Sequence, residues 1–158
     1  MRVGAPVSEA DRVWLRELWQ REWGGEIMVS RGRVYRLDQL QSLLAWDGEA
    51  PVGAATFHVA DGGCELMSIN ATLEGKGVGS LLLTAVEEAA RAAGCRRVWL
   101  ITSNDNLDAL RFYQRKGYRL VAVHSGAIDE ARRVKPSIPL VWNYGIPLHD
   151  ELELERVP

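Results

Sequence analysis

Only two of the 158 residues are cysteines, Cys64 and Cys95, too few to build a disulfide framework. In a reducing compartment they are expected to act as small buried hydrophobes rather than as a bridge. No apolar run approaches the length that spans a bilayer. The opening Met1-Arg2-Val3-Gly4-Ala5-Pro6 leads into no apolar core of the kind a secretion signal carries, so the expected location is the cytoplasm. Charge of one sign is also missing: 19 Lys and Arg stand against 21 Asp and Glu, a formal net charge of -2. Nonspecific nucleic-acid binding requires a strong positive field, and this balance argues against it. His58, His124 and His149 lie far apart in the chain, and no metal site is expected from them. With no repeat, low-complexity tract or linker, the chain is expected to form a single domain over residues 1–158.

What remains has the balance of an ordinary globular protein, 47% hydrophobic and 25% charged, with six tryptophans. Residues 8–23 read as a helix with Ser8 as its cap and Val13, Trp14, Leu18 and Trp19 on one side. Residues 26–37 mix β-branched residues with arginines and read as an irregular loop or short strand. Three antiparallel strands follow at 43–46, 52–60 and 64–71, joined by turns at Asp47-Gly48 and Asp61-Gly62-Gly63. The order then becomes helix 79–93, strand 97–102, helix 106–116, strand 118–124, a short helix 128–134, an extended stretch 135–140 and a last strand 151–157. In the first of these helices Leu82, Val86, Ala89, Ala90 and Ala93 form the inner stripe, with Glu87 and Arg91 outside at i,i+4 spacing. In the last strand, Leu152 and Leu154 alternate with Glu153 and Glu155. The class is α/β with a mixed sheet.

Gly75, Gly77 and Gly79 lie between a strand and a helix. Alternating glycines let backbone N–H groups approach a ligand, and a helix N-terminus adds unpaired donors and a positive dipole end. The arrangement suits a phosphate or pyrophosphate, with Lys76 adding a charge. Two nucleotide loops fail on spacing. A Walker A loop ends in Gly-Lys-Ser/Thr, whereas Gly79 is followed by Ser80 and Leu81. A dinucleotide fingerprint starting at Gly77 requires Gly or Ala where Leu82 stands.

A second motif, Asn106-Leu107-Asp108-Ala109-Leu110-Arg111-Phe112-Tyr113-Gln114-Arg115-Lys116-Gly117-Tyr118, follows the buried strand. Together the two segments resemble the GCN5-related N-acetyltransferase (GNAT) family. Its cofactor loop, Gln/Arg-x-x-Gly-x-Gly/Ala, is matched at Gly77 and Gly79. Its later signature, Asn-x-x-Ala-x-x-Phe/Leu-Tyr-x-x-x-Gly-Phe/Tyr, is matched at Asn106, Ala109, Phe112, Tyr113, Gly117 and Tyr118. Glu74 departs from the family's usual Gln or Arg and is expected to face solvent or a neighbouring cation.

The resemblance implies a mixed, mainly antiparallel twisted sheet flanked by helices, with two central parallel strands splayed apart. It further implies acetyl-CoA as co-substrate. The pantetheine arm would pair with the backbone of Ile69 and Asn70. The pyrophosphate would sit on Gly75, Lys76, Gly77, Val78, Gly79 and Ser80, and Asn106 would add a side-chain contact. Tyr113 would donate a proton to the departing thiolate. The attacking amine must lose a proton, and Glu65 is the expected base, with His124 and Glu26 behind it. Trp23, Val29 and Arg31 fall in the region that covers the acceptor in this family, alongside Trp19, Arg33 and Tyr35. The implied acceptor is a primary amine, small molecule or peptide. A protein N-terminal or lysine acetyltransferase and a noncatalytic acyl-CoA-binding module stand as alternatives. Family members often dimerise, and nothing in the sequence fixes the oligomeric state.

Overall fold

A computed structural model describes residues 1–158. The elements run β1 (Arg2–Gly4), α1 (Glu9–Trp23), β2 (Ile27–Ser30), β3 (Arg33–Arg36), β4 (Gln41–Asp47), β5 (Ala50–Ala60), β6 (Gly63–Ala71), α2 (Val78–Ala92), β7 (Arg97–Ser103), α3 (Leu107–Arg115), β8 (Arg119–His124), α4 (Ala127–Val134) and β9 (Glu151–Arg156). No helix is long and apolar enough to cross a membrane. The chain packs as two compact units. One contains residues 1–28, 36–98 and 158, and the other contains 29–35 and 99–157.

In the first unit the strands run in the order β1-β4-β5-β6, each antiparallel to its neighbour. Helix α1 begins at a capping box: Ser8 Oγ accepts from the Asp11 N–H at 3.1 Å, and Asp11 Oδ2 accepts from the Ser8 N–H at 3.1 Å. Its buried stripe is Leu15, Leu18 and Trp19, the i, i+3, i+4 spacing of one helical face. Val13, expected on that stripe, is 38% exposed because it lies two residues, about 200° of rotation, from Leu15. The stripe packs with Leu37, Leu44, Trp46 and Ala54, and Trp14 and Trp23 lean on the same cluster. Four of the six tryptophans therefore belong to this core or its border.

Helix α2 lies close against β5. A methyl group at Gly53 would sit 2.7 Å from Val78 Cγ1 and 3.2 Å from Leu82 Cδ1, so only a glycine admits the helix at this depth. Its inner face is Val78, Leu82, Leu83, Val86, Glu87 and Ala90. The sequence reading placed Glu87 outside, but it is buried, because it follows Leu83 by four residues and shares that side of the helix. Ala93, read as inner, lies beyond the helix end and is exposed. Cys64 and Cys95 are free and buried, as expected.

In the second unit the order is β7-β9-β8, with β8 antiparallel to β9. Residues 26–37, read as an irregular loop or short strand, form the β2–β3 hairpin, with Val29 to Tyr35 in this unit. A two-residue turn, Arg31-Gly32, with φ of 50° and 75°, closes it. The stretch after α4 is tied down by side chains at the end of β7. Asn104 Oδ1 accepts from the N–H groups of His149 and Asp150, both at 3.0 Å, and Asn104 Nδ2 donates to the Pro147 carbonyl. Asp105, fully buried, accepts from the Asn143 N–H at 2.9 Å. Both units combine helices with mainly antiparallel strands, the α/β class read from the sequence.

Candidate active site

The glycine loop belongs to the first unit. Gly77 is the N-cap of α2 and has a φ of 74°, and Gly75 has a φ of 71°. Both lie in the left-handed region where a Cβ is penalised. A Cβ added to either would meet nothing within 4 Å, so open space lies beside both. No side chain caps this helix, and its first intrahelical bond runs from the Leu81 N–H to the Gly77 carbonyl. The N–H groups of Val78, Gly79 and Ser80 therefore precede the ladder and remain available to an anion. Glu74 and Lys76 are exposed, and the first turn of α2 holds no acidic residue.

Strand β6 leads into this loop. It carries one extra residue, since Thr56 pairs with Ser68 while Phe57 pairs with Leu66, leaving Met67 as a bulge. Glu65, opposite His58, and Asn70, opposite Ala54, lie on the same face as Ser68, whose hydroxyl bonds Thr56 at 2.6 Å. Trp23 Nε1 donates to Asn70 Oδ1 at 3.2 Å on that face. The Asn70 carboxamide is thus engaged by α1, and Ile69 pairs with Ala55. Glu65 is 3% exposed. Cys64 beside it is pushed up to about 12, by burial first and then by the charges of Cys95 and Glu65.

The second unit carries Asn106 and Tyr113. Asn106 caps α3, its Oδ1 accepting from the Ala109 N–H at 3.2 Å, which leaves the Nδ2 donors for a ligand. Tyr113 sits between two rings, Phe112 at 5.1 Å and Tyr118 at 5.6 Å, both edge-on. The turn after α3 returns to it, for the N–H groups of Lys116 and Tyr118 both donate to the Tyr113 carbonyl at 3.0 Å. Burial raises the Tyr113 hydroxyl above its ordinary value, so the phenol stays protonated across the neutral range.

The hairpin tip completes this unit's polar cluster. The Arg31 N–H donates to Glu151 Oε2 at 3.1 Å, and its guanidinium lies 3.5 Å from Glu153 Oε1 and 6.0 Å from the Trp99 ring. His124 Nε2 lies 3.0 Å from that same Glu153 oxygen. Val29 is half-buried in the hairpin's first strand. An acidic side on an alternating strand is ordinarily a solvated face. Instead Glu151 is 1% exposed and Glu153 is 6% exposed, because β9 lies between β7 and β8 and the hairpin tip reaches their side. Arg31, expected over the acceptor, and His124, a candidate base, thus meet on a carboxylate that the alternation pattern did not single out. Gly53 was missed as well, and its only sequence signal is a glycine inside a strand.

The profile of the acetyltransferase (GNAT) family matches residues 7–118. The chain is 36% identical over 158 residues to the uncharacterized protein YdhI of Bacillus subtilis (strain 168), covering 99% of each. Its fold is similar to that of a Bacillus subtilis acetyltransferase solved in complex with CoA, with a TM-score of 0.73, 17% identity and coverage of 99% and 98% of the two chains. It is similar also to a GNAT family acetyltransferase from Elizabethkingia anophelis with acetyl-CoA bound, at a TM-score of 0.73, 17% identity and coverage of 99% and 97%. The match extends over more than half of the chain, and the loop at Gly77 and the helix from Asn106 both fall inside it: this protein belongs to the GNAT acetyltransferase family.

Proposed function

We propose that the protein, acting as one domain in the cytoplasm, transfers the acetyl group of acetyl-CoA to a primary amine of a small molecule by direct attack. The observation that carries the reading is the uncapped N-terminus of α2 behind the open glycines Gly75 and Gly77, a receptor for a pyrophosphate with no competing acid in its first turn. Gly79, Val78, Ser80 and Lys76 complete that cradle, with Asn106 Nδ2 and the backbone of Ile69 and Asn70 as further donor contacts. Trp23, Val29 and Arg31 contact the acceptor. The relatives solved with CoA and acetyl-CoA support the choice of donor.

The amine nitrogen attacks the thioester carbonyl carbon, and the C–N bond forms. The tetrahedral intermediate collapses with cleavage of the C–S bond, and the electron pair leaves on sulfur. Tyr113, kept protonated by desolvation, passes its proton to that sulfur. Glu65 accepts a proton from the attacking nitrogen, and this proton balances the one Tyr113 gives up. The two buried free thiols support a reducing compartment.

The test is release of free CoA from acetyl-CoA by the purified protein across a panel of amines, followed with a thiol reagent. Tyr113→Phe is expected to lower kcat by about 10²–10⁴-fold with the acetyl-CoA KM retained. Tight binding of acetyl-CoA with no CoA release on any amine would sink the enzyme reading.

A further inference from the structure

Acetylation of an alkylammonium sheds two protons. One leaves after attack and is balanced by the proton Tyr113 delivers to sulfur. The other must leave before attack, because a protonated nitrogen has no lone pair, and it is the proton released to solvent overall. Resting on the acetyl-transfer reading above, we propose that His124, held by Glu153, takes this first proton from the docking ammonium.

Three features of the second unit carry the assignment. First, the pair has the build of an oriented base. Glu153 is buried and its carboxylate only accepts, so the 3.0 Å contact fixes the proton of His124 on Nε2. Nδ1 is then the basic nitrogen, and the His124 side chain is 27% exposed, so a proton taken there has a route to water. Second, the surroundings favour an ammonium over an anion. Glu151 lies directly across β8–β9 from His124 and Glu153 lies diagonally, while the hairpin brings the Arg31 guanidinium to 3.5 Å from Glu153 and the Arg31 main-chain N–H to Glu151. The Trp99 ring, with the Arg31 guanidinium 6.0 Å from its centroid, is the aromatic face of this cluster and already meets a cation. Third, the placement is tied to the reacting elements of the same unit. Asn104, two residues before Asn106, bonds the backbone of His149 and Asp150 at the entry to β9. The strand that carries Glu151 and Glu153 is thereby fixed to the turn that launches α3 and Tyr113.

A His–Glu pair can also serve only to join an edge strand to its neighbour, and the test separates the two roles by the shape of a pH profile. Benzylamine, tryptamine and spermidine are used as acceptors with saturating acetyl-CoA from pH 6 to 10. With its base removed, His124→Gln reacts only with amine already neutral in solution. Its kcat/KM for amine is expected to fall about 10²-fold at pH 7, and the defect to shrink about tenfold per pH unit toward the acceptor's own pKa. Added imidazole is expected to restore part of the rate at pH 7, with acetyl-CoA affinity unchanged. Glu153→Gln keeps an acceptor for Nε2 but removes the charge. It is expected to lower kcat/KM for amine with acetyl-CoA affinity unchanged, and it decides the matter if His124→Gln fails to fold. A defect constant across pH without imidazole rescue, or no defect, overturns the assignment. If the wild-type protein binds acetyl-CoA but turns over none of the amines, the acetyl-transfer reading has failed first and takes this assignment with it.

Discussion

Gly77→Ala separates the loop's proposed role in holding CoA from its role in starting a helix. The added Cβ meets no atom within 4 Å, so the protein pays only for placing alanine at a φ of 74°. That cost is about 1–2 kcal/mol. For a chain of this size it lowers Tm by about 2–4 °C per kcal/mol. Gly94→Ala is the matched control. Gly94 has a φ of 73°, also has nothing within 4 Å, and follows the opposite end of α2. The two variants should lose the same stability without ligand.

They should part company when CoA is added. At about 100 times Kd, CoA is expected to stabilise the wild type by roughly 2.7 kcal/mol. The Gly94 variant should keep that increment in full. In the Gly77 variant the methyl enters the space assigned to the pyrophosphate, and a tenfold loss of affinity removes about 1.4 kcal/mol of it. Paired thermal melts with and without CoA, backed by titration calorimetry, read both quantities. Equal CoA-induced shifts in the two variants would refute the assignment of this loop to the donor.

Two further predictions follow from packing and burial. Gly53→Ala drives a methyl to 2.7 Å from Val78 Cγ1 and 2.9 Å from the Asn70 carbonyl, so α2 must move off the strands. Urea unfolding should give a loss of about 1–3 kcal/mol, the usual range for overpacking, and a loss under 0.5 kcal/mol would mean the helix is not held at this depth. The Cys64 thiol is raised from 9.0 to about 12, first by burial, so the unfolded chain loses this proton at lower pH than the folded one. The contribution is complete below pH 9 and is lost as pH rises toward 12, at up to about 1.4 kcal/mol per pH unit. Between pH 8 and 10.5 the wild type should therefore lose roughly 1–2 kcal/mol more than Cys64→Ala, and identical slopes would rule the shift out.

The parts of this protein that were legible in its sequence are those set by short-range geometry. Ser8 with Asp11 three residues on announces the start of α1, and both bonds of the capping box form. Gly75 and Gly77 announce a backbone that side chains disfavour, and both adopt positive φ. The three strands between residues 41 and 71 could be followed because each turn joining them is local. The β2–β3 hairpin escaped notice because the residue at its tip is an arginine, Arg31, held at positive φ, where sequence rules look for Asn, Asp or Gly. Its main-chain N–H is anchored by Glu151, a residue 120 positions away, and no local pattern encodes that bond.

The proposed donor site is written in the sequence as a motif, and the proposed acceptor site is not. A pyrophosphate is bound by backbone, and a backbone needs particular residues at adjacent positions, so the requirement is written as a motif. An ammonium is bound and deprotonated by side chains, which any strand can supply. His124 and Glu153 are 29 positions apart, on separate strands, and Arg31 reaches the same oxygen from a third element. In the alternating run of β9, Glu151 and Glu153 look like every other solvated strand face. What distinguishes them is that they are covered, and coverage is a property of strand order: β9 comes last in the chain yet lies between β7 and β8. Chain order alone would leave it at an edge, where two glutamates need no partner. Placed between two strands and beneath the hairpin tip, each carboxylate must be compensated, and the groups that compensate Glu153 are a guanidinium and an imidazole with one nitrogen left over.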